Sequence, residues 1–375
     1  MEFIAKQAAL LRELNLVQGV VEKKNTVPIL ANVLLSAKGD SVVVMATDLE
    51  VGVKSELSAN VVKEGALTVS ARKLHEIVRS LPDSEVQVKS DGESWATLAC
   101  ERSHFRIMGL PKDDFPTLPT PGKTPRVTFG MQQFKEMVRK VIFAVSAEDA
   151  RFALNGALMI VDGNSVSLVA SDGHRLSYVS MPLQGGGSGA EMRVVIPQKA
   201  LGEISRIGDE IGGEIVFCRD ENHMFFEMGR CTLSSRLLEG QFPNFEKVLP
   251  KGNDKIIELG RVAFSDGLHR VSLLANERNR AVKLSLGRGK LEISAKNPEM
   301  GEARETLNIE YGGGDVEVGF NAKYFLDFLS AVDKETVILE LKDEASQALL
   351  RPKDGAGKTK EPAGEYKYVV MPMRI

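Results

Sequence analysis

One strand-to-helix element occurs three times along this chain, and its recurrence restricts the possible folds more than any other feature. Val69-Ser70-Ala71-Arg72-Lys73-Leu74, Ile196-Pro197-Gln198-Lys199-Ala200-Leu201 and Phe320-Asn321-Ala322-Lys323-Tyr324-Phe325 follow one another at intervals of about 125 residues. Each passes from a short alternating stretch into an amphipathic helix with a basic residue in its first turn, expected over 75–81, 202–207 and 326–332. A hairpin precedes each copy: 30–37 with 41–47, 154–161 with 165–171, and 281–286 with 290–295. The turns are Lys38-Gly39-Asp40, Asp162-Gly163-Asn164 and Gly287-Arg288-Gly289. Ahead of each hairpin lies a further helical periodicity, over 10–21, 134–142 and 262–274. Two copies share a corner, Asp114-Phe115-Pro116-Thr117-Leu118-Pro119 and Gln241-Phe242-Pro243-Asn244-Phe245. Chance recurrence in a strand-rich chain is the competing account. Matching order and spacing in all three copies make it the poorer one.

The expected fold is therefore α+β: three similar domains, each of antiparallel sheet with two helices, at 1–122, 123–251 and 252–375. Proline, glycine and polar residues cluster at both joints, 119–125 and 249–254.

Composition narrows the function classes. Apolar residues at 43% and charged residues at 26% describe an ordinary globular chain. Its longest apolar runs, 42–46 and 141–145, fall far short of the roughly 20 residues that span a bilayer. The start, Met1-Glu2-Phe3-Ile4-Ala5-Lys6, shows no charged leader followed by an apolar stretch, so a cytoplasmic location and no membrane partner are expected. Cys100, Cys218 and Cys231 are widely and irregularly spaced, which favours reduced thiols over a disulfide framework or a zinc site. The net charge of -3 counts against a nucleic-acid partner only as a total. Its distribution points the other way: the six expected helices sum to about +7, leaving about -10 elsewhere. Such helices suit a surface that faces a polyanion. They carry no interleaved aromatics and no recognition-helix signature, so contact is expected with phosphates rather than bases.

Enzymatic readings fare worse. Ser171-Asp172-Gly173-His174 offers a hydroxyl, a carboxylate and an imidazole, but sequence neighbours on a strand and turn do not form a nucleophile-base-orienter line. Asp113-Asp114 sits beside a proline corner and reads as solvated loop rather than a two-metal site. Gln184-Gly185-Gly186-Gly187-Ser188-Gly189 lacks the lysine and following helix of a phosphate loop and reads as a linker. The polar stretch 353–362 reads as an insertion ahead of the last strand. No catalytic residue, metal site or cofactor is expected.

Several segments together resemble the bacterial DNA polymerase III β subunit, the sliding-clamp family, and the likeness covers the whole chain. They are Leu154-Asn155-Gly156, Ser171-Asp172-Gly173-His174-Arg175-Leu176, Phe242-Pro243 with Val248-Leu249-Pro250, Gly319-Phe320-Asn321 with Tyr324, and Tyr368-Val369-Val370-Met371-Pro372-Met373-Arg374-Ile375. Thr26-Val27-Pro28-Ile29-Leu30 and Thr47-Asp48-Leu49-Glu50 add to them. The resemblance implies a head-to-tail homodimer of three-domain protomers, a ring of six domains with twelve helices inside and sheets outside. Its implied partners are duplex DNA without sequence preference, the replicative polymerase subunit, the clamp loader and other proteins carrying clamp-binding peptides. Helices set side by side at about 10 Å give an independent check. Six leave a bore of about 9 Å, and twelve leave about 28 Å for a duplex on the order of 20 Å wide. Two copies, not one, fit DNA. The runner-up is a strand-rich scaffold that binds peptides but never DNA.

The resemblance also implies sites. The partner-peptide pocket would use Leu154, Ser171, Gly173, His174, Arg175, Leu176, Pro243, Val248, Asn321, Tyr324, Val369, Met371, Pro372, Met373 and Arg374. A pocket position that is usually a small aliphatic in the family falls near Ala345. DNA would meet Lys24, Arg72, Lys73, Arg151, Phe152 and Lys199, while Glu148 and Ala153 depart from the family pattern. The dimer interface would set Lys73, Arg102, Phe105, Arg106 and Ile107 against Leu273, Leu274, Glu299, Glu302 and Glu305.

Overall fold

A computed structural model of the chain describes residues 1–21, 27–92, 94–148, 152–183, 191–238, 240–353 and 364–374. The glycine-rich stretch 184–189, all but Lys353 of the insertion 353–362, Thr26 and Ile375 lie outside the described residues.

Six α-helices occur among these residues: α1 (Gln7–Gln18), α2 (Ala71–Ser80), α3 (Met131–Val141), α4 (Gln198–Ile211), α5 (Arg261–Ser272) and α6 (Ala322–Ala331). Each follows a strand with no intervening loop; Gly65–Ser70 runs straight into α2 and Val316–Asn321 into α6. The helices that close each repeated element therefore start about one turn earlier than the apolar periodicity indicates. Side chains at the junctions terminate the strands: Ser70 Oγ accepts from the Lys73 N–H at 3.4 Å, and Asn321 Oδ1 from the Lys323 N–H at 2.9 Å. In α2 the buried residues Ala71, Leu74 and Val78 form one stripe.

Strand order repeats three times. Val51–Ser58, Ser41–Thr47, Asn32–Lys38 and Gly65–Ser70 lie side by side in that order. The same order recurs in Arg175–Pro182, Ser165–Ser171, Gly156–Asp162 and Met192–Pro197, and again in Gly301–Asn308, Lys290–Asn297, Ala281–Gly287 and Val316–Asn321. A second group also recurs: Glu2–Lys6, Glu85–Asp91, Trp95–Cys100 and Ser103–Leu110 in the first repeat; Val127–Gly130, Glu214–Arg219, His223–Met228 and Cys231–Arg236 in the second; Lys255–Gly260, Thr336–Leu341, Ala348–Pro352 and Glu365–Val370 in the third. Every ladder is antiparallel, and alternation such as that of Ser41–Thr47 sends valines 42 and 44 into the core.

The sheets run across the expected joints. Val51–Ser58 of the first repeat pairs with Cys231–Arg236 of the second, from Ser55↔Cys231 to Val51↔Ser235. Arg175–Pro182 of the second pairs with Glu365–Val370 of the third, from Arg175↔Val370 to Ser180↔Glu365. Edge strands left open would be sticky, and these two, Val51–Ser58 and Arg175–Pro182, are covered by strands of the next repeat. The central repeat is thus divided between two compact units, Met1–Lys135 with Lys199–Leu237 and Glu136–Gln198 with Leu238–Ile375. The first has Phe134, Phe217 and Phe226 in its core, with Phe217 and Phe226 centroids 5.1 Å apart. The second buries Phe325, Phe328 and Tyr368, with Phe328 stacked on Tyr368 at 5.1 Å. Gly208 lets α4 pack closely against the start of α3: a Cβ there would come within 2.5 Å of Met131 Sδ and would push that side chain aside. All three cysteines are buried and unbridged.

Candidate functional site

A tight turn carries the most developed surface feature of the second unit. Ser171 Oγ accepts from the Gly173 N–H at 3.1 Å and donates to the Arg175 carbonyl at 2.8 Å. Asp172 Oδ1 accepts from the His174 and Arg175 N–H groups at 2.9 and 3.0 Å. Gly173 stands at φ +89°, a left-handed conformation natural to glycine. The first repeat makes the same turn: Thr47 Oγ1 accepts from the Leu49 N–H at 3.0 Å, and Asp48 Oδ1 from the Glu50 and Val51 N–H groups at 2.9 and 2.6 Å. There Leu49 holds φ +81°, where a leucine is strained by about 1–2 kcal/mol. The turn is thus a property of the repeat. Near it in the first repeat, Ile29, Leu30 and Phe115 form a small buried cluster with Leu34, Met45 and Leu110 packed against it.

In the second unit the turn borders an apolar cavity of about 130 Å³. Leu154, Ser171, Gly173, Arg175, Leu176, Pro243, Val248, Val369 and Met371 line it, nine of the residues the resemblance assigns to a peptide pocket. Phe242 and Phe245 line it too and were not among those assigned, although both stand in the repeated Phe-Pro corner. Phe245 stacks on Tyr178 with centroids 5.8 Å apart and belongs to the cluster of Leu158, Val169 and Val369 that forms the floor. Such walls suit aliphatic and aromatic anchors rather than charged ones.

Arg175 is a strut of this pocket, since only 8% of it is exposed. Its Nε donates to Asp172 Oδ2 at 2.9 Å, its Nη1 to Asp327 Oδ2 at 2.6 Å, and its Nη2 to the Phe143 carbonyl. The guanidinium lies 4.5 Å from the Tyr324 ring centroid. Burial opposes its charge, but Tyr368, Asp327 and Asp172 outweigh that and hold its pKa above the ordinary value. Tyr324 thus supports the pocket from behind Arg175, and Asn321 caps α6. Neither lines the apolar cavity, and exposed His174 does not either. Pro372, Met373 and Arg374 line an adjoining cleft of about 680 Å³ with Ala345. Hydrogen bonds from Met371 N to the His174 carbonyl and from Met373 N to the Gly319 carbonyl, each 2.9 Å, fix this tail.

The charged faces differ from expectation. α1 begins after Lys6, and α4 continues through Asp209 and Glu210, so the six helices sum to about +4 rather than +7. Several cations are also paired locally. Arg72 Nε and Lys73 Nζ both donate to Glu76 at 2.8 Å, and Lys73 and then Arg72 hold that carboxyl at a pKa of about 2. Lys199 pairs with Asp48, and Lys135 with Asp209. Lys24 and Arg151 lie outside the described residues, and Phe152 opens the short 3-10 turn Phe152–Leu154. Arg106 donates to Asp91 at 3.1 Å and stacks 4.4 Å over Trp95, whereas Glu305 is held by Arg270 at 2.5 Å. Arg102, Glu299 and Glu302 are exposed, Phe105, Ile107 and Leu274 half-buried, and Leu273 is 66% exposed.

Fold and site together define a repeat scaffold whose foremost feature is an apolar pocket rather than a constellation of reactive groups. Comparison with known proteins makes the class specific. Family models for the N-terminal, central and C-terminal domains of the DNA polymerase III beta subunit match residues 1–119, 128–244 and 246–374. The chain is 37% identical over 381 residues to the beta sliding clamp of Pseudomonas aeruginosa and 34% identical over 377 to that of Escherichia coli, covering 100% of each chain. It is similar to the crystal structure of the DNA polymerase III subunit beta from Pseudomonas aeruginosa, with a TM-score of 0.93, 35% identity and 100% of both chains covered. The chain belongs to the DNA polymerase III beta-subunit family, the sliding clamps. It is a processivity factor of DNA replication, a non-catalytic accessory subunit.

Proposed function

We propose that two copies of this chain close into a ring of six repeats around duplex DNA, and that the apolar pocket tethers DNA-processing proteins by short peptide segments. Strand-edge pairing carries this reading. Within the chain, the third strand of one repeat's hairpin group twice pairs with the last strand of the next repeat. The third repeat's equivalent, Gly301–Asn308, ends its four-stranded sheet with no further partner among the described residues. The first repeat's last strand, Ser103–Leu110, meets Gly65–Ser70 only at Leu110↔Thr68 and Gly109↔Val69, leaving most of that edge open. Two copies, each giving Gly301–Asn308 to the other's Ser103–Leu110, close every such edge by the rule the chain already follows. Lys73, Arg102 and Arg106 accompany one edge and Glu299, Glu302 and Glu305 the other, about an apolar centre of Phe105, Ile107, Leu273 and Leu274.

Twelve helices around the bore leave room for a duplex and a layer of water. Arg72, Lys73 and Lys199, with Lys24 and Arg151, would meet the phosphates, and Phe152 would lie against the duplex beside them. Pairing of Arg72 and Lys73 with Glu76, and of Lys199 with Asp48, weakens any one phosphate contact and suits sliding over gripping. Polymerase, clamp loader and other peptide-bearing proteins are the implied occupants of the pocket, and the cytoplasm the implied location. Among the described residues no helix is long and apolar enough to cross a membrane.

Met371 tests the pocket, since it lines the cavity while 39% exposed and its replacement leaves the core intact. Met371→Lys is expected to weaken a fluorescent peptide with leucine and phenylalanine anchors at least about tenfold, roughly 1.4 kcal/mol, by anisotropy titration. Unchanged affinity would place the peptide elsewhere.

A further inference from the structure

We propose that the outer sheet face of the third repeat holds a cationic cleft that extends the peptide pocket and receives an aspartate- or glutamate-rich flank of the docked segment; this deepens the pocket reading and rests on it. Register builds the cleft. Arg304 stands opposite Ser294, Ser294 opposite Lys283, and Lys283 opposite Gly319, a row across four strands on one face. Alternation sends the neighbouring Glu305 to the other face, where it meets Arg270 of α5. Ser294 is short, and the cleft it helps line measures about 550 Å³, while Gly319, which has no side chain, lines the adjoining cleft of about 680 Å³. At its end the Met373 N–H binds the Gly319 carbonyl, bringing Arg374 over the row.

Charge names the occupant. Lys283, Lys296, Arg304 and Arg374 line the cleft against one carboxylate, Glu302. Lys283 is spoken for by Glu317 at 3.1 Å, but Lys296, Arg304 and Arg374 make no ion pair among the described residues. Three unpaired cations gathered in one concavity attract carboxylates. Continuity with the pocket makes those carboxylates part of the same peptide: Met371 lines the apolar cavity, while Arg374 lines both the adjoining cleft and the cationic one. Nucleic acid is the lesser candidate, because the cations stand on the face opposite α5, and the helices are the elements proposed to face the duplex.

The test compares peptides that share the leucine and phenylalanine anchors and carry a run of aspartates, the same run of asparagines, or no extension, with the run at either end. At low ionic strength the aspartate peptide should bind about tenfold tighter than the asparagine peptide at one end. That advantage should vanish at about 1 M salt, where the Debye length is about 3 Å, and in Lys296→Gln/Arg304→Gln, which leaves the anchor-only peptide unaffected. Equal binding of aspartate and asparagine peptides at both ends overturns the cleft and leaves the pocket standing. No binding by any peptide overturns the pocket and the cleft with it. Capture of a short single-stranded oligonucleotide that the double variant abolishes, without an aspartate advantage, assigns the cleft to nucleic acid and overturns the proposal.

Discussion

Arg175→Ala is expected to lower stability by about 3–5 kcal/mol, measured by urea unfolding, and to disable the pocket with it. The change takes one cation partner each from Asp172 and Asp327, both mostly shielded from water, leaving Asp327 to Lys323 and Asp172 to its backbone donors, and it removes the donor to the Phe143 carbonyl. It also removes the cation stacked on Tyr324, so the turn and α6 lose the group that joins them. Arg175→Lys should recover only part of the loss, because an ammonium cannot reach Asp172, Asp327 and Phe143 in one plane. Arg175→Met with Asp327→Leu should be less damaging than Arg175→Ala alone, since apolar replacement of both partners strands fewer charges. A loss below about 1 kcal/mol for Arg175→Ala would place the arginine with ordinary exposed ion pairs and remove its role as the strut.

Leu273→Asp is expected to weaken dimerisation about a hundredfold, roughly 2.8 kcal/mol, without unfolding the chain. Leu273 is 66% exposed in the single chain, so its own fold does not depend on it. In the proposed ring it lies at the apolar centre of the contact, where a carboxylate would be buried near Glu299, Glu302 and Glu305 with no cation assigned to it. Sedimentation equilibrium should show about twice the 40.9 kDa chain mass for the parent protein and a shift to single chains for the variant at the same concentration. A variant still fully dimeric would move the interface away from α5.

The triple repeat was legible because its signals are local: alternation, a turn and an apolar stripe recur in fixed order. Helix starts were less so, since the first turns of α2 and α6 are marked by the caps Ser70 and Asn321 rather than by apolar residues. Sheet joins such as Ser55↔Cys231 were not legible, because strand edges pair across long stretches of chain and no local pattern selects the partner. At the pocket, Ser171, Gly173 and Leu176 could be named from the resemblance. The strut role of Arg175 could not, since Asp327, which neutralises it, lies 152 residues away. The charge asymmetry was overstated for local reasons: α1 starts after Lys6, and α4 does not stop at 207 but continues through two more acids.

Topological retention on DNA tests the central claim most directly. Purified protein would be loaded onto nicked circular plasmid by a clamp loader with ATP, isolated by gel filtration in high salt to screen phosphate contacts, and the DNA then linearised. The ring account predicts that the protein stays with the circle and is lost from the linear form. Retention on both forms would mean a direct grip on DNA, and retention on neither, with a loader active on another clamp of the family, would likewise contradict it.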